Sequence, residues 1–517
     1  MGKTGIVALV GAGPGDPGLI TVTGLKRIQQ AEVLVYDHLV AADLLQEAAP
    51  DAERIYVGKK AGHHTIEQSE INEILCRKAR AGKRVVRLKG GDPYVFGRGG
   101  EEAAFLAEQA VPFEVVPGVT AATAACAAAG IPVTHRGTAS LAVLVTGHED
   151  PTKAESDIDW SALAALRGTL VFYMGVRNAA SIARTLIANG RDADTPAAMV
   201  ANGTLPDQAT VTGTLATIAD RSAEAGVRPP ALLVVGEVVG LRDALAFFER
   251  RPLFGRTVVV TRAREQASVL AGRLRDLGAA VLECPTIRIE PPDDVGPLDE
   301  ALARVSVFDW IVFTSVNAVR MVMARLSART RDARSLSGVK LSAIGPATAE
   351  ALRAAGLLAD LMPGRYTSED LLDELKAHSD LTGAAVLLPR ADIAPEALRE
   401  GLEQAGATIT AVTAYRTVVD EPDPAVIDRL IAGGVDWVTF TSASTARNFA
   451  AVIGPERLAQ VSGRVRYASI GPQTTAAAEF LGLPIAAEAD EATIDGLVDA
   501  IINAGKGREE GDVRSLP

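Results

Sequence analysis

Short apolar runs alternate with amphipathic stretches along most of the chain. Ile6–Val10, Val33–Tyr36 and Val85-Val86 with Leu88 have the length and continuity of strands buried on both faces. Between them, Thr23–Ala31 and Gln68–Arg80 carry a helical spacing of apolar positions, which Glu101–Gln109 resumes. Val115-Val116 opens a further strand, followed by an alanine-rich helix that ends near Gly130. A second set of strands is predicted at Leu141–Thr146, Thr169–Tyr173, Ala197–Ala201 and Ala231–Val235, closed by a helix over Arg242–Arg250. Strands alternating with helices in this way predict an α/β fold.

From Gly255 the pattern repeats internally. Phe308–Ser315 returns as Val435–Ser442, 127 positions later, and Ala343–Thr348 returns as Ser469–Thr474, 126 positions later. Val258–Arg262 with Leu274 and Gly278 parallels Val386–Arg390 with Leu402 and Gly406. Each copy predicts a flavodoxin-like parallel sheet with ligand loops at its strand ends. A two-lobed binding module would show the same duplication. The expected layout is therefore residues 1–250 in two parts (about 1–137 and 138–250), a linker at 251–256, a second α/β pair over 257–502, and a polar, disordered tail at 503–517.

Composition narrows the classes. At 517 residues several cores are needed, and 48% hydrophobic with 22% charged residues suits a globular chain. A net charge of −12 argues against nucleic acid or an anionic membrane as partner. The N-terminus lacks a basic segment leading into a long apolar core, and no apolar run reaches membrane-spanning length, so a cytoplasmic location is expected. Three scattered cysteines and the adjacent His63-His64 match no metal-ligand spacing, so no metal is expected.

The candidate chemistry lies where predicted strands end. The densest stretch is Arg87–Glu102, with Gly90, Gly91, Gly97, Gly99 and Gly100 around Asp92-Pro93. A loop so rich in glycine between a buried strand and a helix suits a ligand site better than a plain connection. Gly11–Gly18 follows the first strand without the spacing of a dinucleotide or phosphate loop, so its ligand need not carry phosphate. Thr120-Ala121 follows a third strand, and convergence of the three loops would make a small-molecule crevice. Asp37, at the end of Val33–Tyr36, suits a ligand contact or a helix cap equally well. Lys83, Arg84, Arg87, Lys89 and Arg98 form a locally positive run that could meet carboxylates.

Gly11–Asp16, Tyr36-Asp37, Gly58-Lys59, Lys89–Glu102, Pro117–Ala122, Thr134–Arg136 and Tyr173–Gly175 resemble the uroporphyrinogen-III C-methyltransferases of the tetrapyrrole methylase family, over residues 4–250. The resemblance implies S-adenosylmethionine bound between two α/β parts by Pro14, Gly90, Gly91, Asp92, Val95, Thr120, Ala121, Met174 and Gly203. It also implies Asp37 as proton acceptor, Lys59 as proton donor, a polycarboxylate macrocycle that Arg98 could bind, and a homodimer through this half. Thr261-Arg262, Phe313–Ser315, Ile344–Pro346, Tyr415-Arg416, Phe440–Ser442 and Ile470–Pro472 resemble uroporphyrinogen-III synthase, over 255–502. That family implies no cofactor, hydroxymethylbilane as substrate, and residues 292–413 inserted into a domain made of 257–291 and 414–502. Tyr415 matches a tyrosine that assists hydroxyl departure, Thr348 and Thr474 match hydroxyls lining a cleft, and Arg262 and Arg390 could meet carboxylates. Together the halves would make uroporphyrinogen III and methylate it twice to precorrin-2. The alternatives are a methylase for a later precorrin, or a second half that senses a tetrapyrrole without reacting it. A dehydrogenase-chelatase step is expected elsewhere.

Overall fold

The computed structural model describes residues 4–58, 66–147, 156–261, 264–420 and 422–506. Lys59, Arg262 and the His63-His64 pair lie outside the described residues. Two compact units divide the chain, the first built mainly on the residues up to Thr257 and the second mainly on those from Val258.

The first unit opens with β1 (Ile6–Gly11), β2 (Val33–Tyr36), β3 (Glu53–Tyr56), β4 (Arg84–Lys89) and β5 (Phe113–Val116). They form one five-stranded sheet in the order β3-β2-β4-β1-β5, parallel throughout. Alternation explains why helices cover both faces. Val7, Leu9, Val33, Val35 and Val85 pack on one side with Ile71, Leu75 and Leu106. Ala8, Val10, Leu34, Val86 and Leu88 pack on the other with Ile28 and Leu44. The order reverses at β1, between β4 and β5, and a crevice at such a point is where ligands sit in open parallel sheets.

A second sheet holds β6 (Ala142–Thr146), β7 (Thr169–Tyr173), β8 (Pro196–Ala201), β9 (Ala209–Thr214) and β10 (Ala231–Val235), in the order β6-β7-β10-β8-β9. Only β6 and β7 run parallel; β10 is antiparallel to β7 and β8, and β8 to β9. The helix expected over Arg242–Arg250 stops at Leu245. The chain then folds tightly: Phe248 and Leu253 are buried, and the Arg251 guanidinium lies 4.5 Å from the Phe248 ring centre. The expected linker is thus partly packed, because its apolar residues find partners.

The second unit interleaves two further sheets. β11 (Thr257–Val260) and β12 (Ala280–Glu283) come first, followed by β13 (Ile287–Glu290), β14 (Trp310–Phe313), β15 (Lys340–Ala343), β16 (Ala385–Ala391) and β17 (Thr408–Val419). β18 (Trp437–Phe440), β19 (Arg466–Ser469) and β20 (Ile485–Glu488) return to the first of them. The orders are β12-β11-β18-β19-β20 and β13-β17-β16-β14-β15. In each, neighbours follow the flavodoxin-like pattern, with β13 added as an antiparallel edge on β17. Because β13 pairs with the far end of β17, the change of sheet falls outside the expected limits of 292 and 413. The last helix, Ile494–Lys506, carries the first residues of the expected tail in helical form.

No helix among the described residues is long and apolar enough to cross a membrane. Phe440 is fully buried, with ring centres 5.6 Å from Phe449 and 5.8 Å from Tyr467. Phe440→Ala should therefore cost about 3–5 kcal/mol. Calorimetry should show the second unit's transition falling while the first unit's stays in place.

Candidate functional site

Three loops of the first sheet meet where its order reverses. Gly13 and Gly91 exchange two backbone hydrogen bonds, Gly91 N–H to Gly13 O at 2.8 Å and Gly13 N–H to Gly91 O at 3.2 Å. The third loop reaches the same point through Asp92, whose Oδ2 accepts from Gly118 N–H at 3.0 Å while Oδ1 accepts from Tyr94 N–H at 2.8 Å. Oδ2 thus ties the second loop to the third, while Oδ1 braces the turn of its own loop. Side chains cannot intrude here: a Cβ on Gly118 would lie 2.2 Å from the Gly91 carbonyl oxygen and 2.7 Å from Gly11 Cα. Gly91 is different. Its φ is +70°, and a Cβ there would have nothing within 4 Å, so its outer side opens on free space.

The second sheet supplies the opposite wall at the ends of β7 and β8. Tyr173 closes β7; its hydroxyl accepts from Ala122 N–H at 2.8 Å and hydrogen-bonds the Thr120 hydroxyl. Burial pushes the Tyr173 phenol above its ordinary range, so it stays protonated. Met174 follows at φ +56° and is 52% exposed. Beyond β8, Gly203 packs so closely on Ala125 that a Cβ would fall 2.2 Å from that methyl group. Next to it, the Thr204 hydroxyl donates to the Pro14 carbonyl and accepts from Asp16 N–H at 3.1 Å. Contacts thus join the loops that carry Pro14 and Gly203, and those that carry Thr120, Ala121 and Met174, beside the loop of Gly90, Gly91 and Val95. Tyr173 belongs to the Tyr173–Gly175 motif but was assigned no role, and no spacing signal marks Thr204.

Asp37 stands beside this crevice because β2 and β4 are neighbours, pairing Tyr36 with Leu88. Its Oδ1 accepts from Leu39 N–H at 3.1 Å, and Oδ2 meets Arg87 Nη2 at 3.2 Å. The Leu39 Cβ would sit 2.6 Å from a Cβ on Gly90, so Asp37 and the central loop share one edge. The positive run expected to greet carboxylates is dispersed. Arg87 and Lys89 are buried and paired with Glu102, because alternation along β4 turns both under the covering helices. Lys83 and Arg84, at the opposite end of β4, pair with Glu32. Arg98 stays exposed beside the crevice loop, in an ion pair with Glu101 at 2.6 Å.

In the second unit the ends of β14, β16 and β17 come together. Tyr415 is 7% exposed, and its hydroxyl lies 3.0 Å from Ser315 Oγ, which also caps the helix Val316–Ala328 by accepting from Ala318 N–H at 3.1 Å. Burial is the main cause that raises the Tyr415 phenol, and the nearby Asp392 adds to it. Arg390 does not offer its charge outward: it is 8% exposed and bound to Glu396 at 2.7 Å and to the Ala394 carbonyl. Thr348 and Thr474 are buried in the first turns of the helices Pro346–Ala354 and Pro472–Phe480. Ser315, part of the motif but not assigned a role, is the partner that sequence left out.

Two glycine substitutions separate crowding from openness. Gly118→Ala should cost about 1–3 kcal/mol, because only backbone surrounds the new methyl group. Gly100→Ala, in a helix and with nothing within 4 Å of its Cβ, should add about 0.4–1 kcal/mol. Melting temperatures of the two variants should move in opposite directions.

A family model described as Tetrapyrrole (Corrin/Porphyrin) Methylases matches residues 7–219, and one described as Uroporphyrinogen-III synthase HemD matches residues 268–499. The porphyrin biosynthesis protein HemD of Ruminiclostridium josui is 37% identical over 508 residues, which are 97% of this chain and 99% of that protein. The S-adenosyl-L-methionine-dependent uroporphyrinogen III methyltransferase of Methanosarcina barkeri is 53% identical over 47% of this chain and 96% of its own length. A solved uroporphyrin-III C-methyltransferase from Thermus thermophilus, complexed with S-adenosyl homocysteine, is 43% identical over 46% of this chain and 93% of its own, with a TM-score of 0.39. With both models matched in succession and a relative similar along nearly the whole length, the chain belongs to the porphyrin-biosynthesis family that joins a tetrapyrrole methylase to a uroporphyrinogen-III synthase.

Proposed function

We propose that this chain is a bifunctional enzyme: a uroporphyrinogen-III synthase that closes hydroxymethylbilane, and a uroporphyrinogen-III C-methyltransferase that methylates the product at C2 and C7 to give precorrin-2. The observation that carries the methyltransferase half is the open side of Gly91, held at φ +70° by its paired hydrogen bonds to Gly13. A backbone so displayed between two lobes fits a nucleoside-type donor, and the thioether of Met174 offers it an uncharged, polarizable contact. S-adenosylmethionine supplies an electrophilic methyl carbon on a sulfonium sulfur. Gly90, Gly91, Val95, Thr120 and Ala121 from one lobe and Met174 and Gly203 from the other would hold it, with Pro14 fixed by Thr204.

The chain's own contribution is position and a base. Holding donor and macrocycle in line removes the entropic cost of their encounter. Asp37, anchored through both oxygens, takes the proton that the macrocycle sheds when its pyrrole carbon is alkylated. Asp37→Asn should leave S-adenosylhomocysteine affinity unchanged and lower turnover about 10²–10⁴-fold. Calorimetric titration together with single-turnover rates checks this; loss of affinity instead would remove the proton-acceptor role.

In the second half, a raised pKa keeps the Tyr415 hydroxyl protonated, so it can donate to the departing hydroxyl of the linear substrate while Ser315 orients it. Tyr415→Phe should slow cyclisation about 2–10-fold, the worth of one hydrogen bond. Because the phenol sits above its free range, the wild-type rate should show no tyrosine-linked loss up to about pH 10. Incubating the full chain with hydroxymethylbilane, without and with S-adenosylmethionine, should yield uroporphyrinogen III alone and the dimethylated product respectively, distinguished by mass. Spontaneous uroporphyrinogen I in place of III, an isomer of equal mass that chromatography separates, would count against the synthase assignment.

A further inference from the structure

Glu102 is fully buried, on the helix Gly99–Glu108 that covers one face of the first sheet. Its Oε1 accepts from Lys89 Nζ at 2.8 Å, Gln68 Nε2 at 3.1 Å and Arg87 Nε at 3.2 Å. Its Oε2 has no partner among the described residues. Arg87 spreads its fork over three groups: Nε to Glu102, Nη1 to the Leu88 carbonyl at 2.9 Å, and Nη2 to Asp37 Oδ2 at 3.2 Å. A carboxylate at the crevice is thereby joined through one guanidinium to a carboxylate that solvent does not reach.

Such a cluster is poorly explained by stability. Buried ion pairs recover little beyond the cost of desolvating them, and apolar side chains of similar volume often serve as well or better. Here the cost is visible: burial, with the neighbouring Arg87 charge, lowers the Lys89 pKa against the pull of Glu102. The hydrogen bonding is also lopsided, with three donors on one Glu102 oxygen and none on the other. That arrangement makes a pivot. It sets the plane of the Arg87 guanidinium, and the guanidinium in turn meets Asp37 in a fixed direction.

We propose that Glu102 is a positioning residue for methyl transfer, holding Arg87 so that its guanidinium orients Asp37 at the crevice. This rests on Asp37 being the proton acceptor. Gln68 and Lys89 steady the pivot from the helix Gln68–Arg80 and from β4.

The test is a double-mutant cycle on the full chain, read as the single-turnover rate of uroporphyrinogen III methylation with S-adenosylmethionine. Glu102→Gln should lower that rate about 10–100-fold, as expected for a misplaced catalytic group, with S-adenosylhomocysteine affinity within about twofold of wild type. In the Asp37→Asn background the same substitution should have no further effect. An equal loss in both backgrounds, or a loss confined to ligand affinity, would overturn the proposal. If Asp37→Asn alone transfers methyl groups at the wild-type rate, the proton-acceptor assignment fails instead, a separate result. Should Glu102→Gln not fold, the charge-balanced pair Glu102→Gln with Lys89→Met replaces it, with the same outcomes deciding.

Discussion

The first unit depends on three stretches of backbone meeting with no side chain between them. Gly11, Gly91 and Gly118 lie within van der Waals contact of one another, so the ends of β1, β4 and β5 converge instead of splaying. Asp92 completes the junction by accepting a hydrogen bond from Gly118, which fixes the third loop to the second. Once the backbones are locked this way, the free side of Gly91 is what remains for a ligand. The second lobe then needs only short reaches, the Tyr173 and Thr204 hydroxyls, to close the opposite wall.

Both units obey the same rule in different chemistry. Their parallel strands deliver loops to one end of a sheet, where function gathers. In the first unit those loops are glycine-rich and display backbone, which suits binding a donor of fixed shape. In the second they present hydroxyls, Ser315 against Tyr415, and bury the charge of Arg390 on Glu396. A cyclisation whose leaving group is a hydroxyl requires a donor more than it requires a charge. On the proposed reading, the buried Tyr415 phenol would meet that need.

Much of this was legible from pattern alone. The strand at Val33–Tyr36 and the helix at Gln68–Arg80 fall where apolar periodicity puts them, since period and burial are properties of consecutive residues. Glycine density likewise marked the central loop. What the pattern did not carry was pairing across the fold. Arg87 and Lys89 look like a basic surface until alternation and a helix from later in the chain place Glu102 against them. The expected helix to Arg250 ends at Leu245, where Phe248 and Leu253 turn inward. Thr204 carries no motif at all; only the approach of β8 to the first loop gives it a task.

The most direct measurement is a crystal structure of the full chain grown with S-adenosylhomocysteine. The account predicts the thioether ligand seated against the open side of Gly91, with Met174 and Gly203 on its other flank and Asp37 facing the sulfur-side opening. Ligand bound elsewhere, or a crevice in which the Gly13–Gly91 pair has opened and Asp37 has left Arg87, would contradict it.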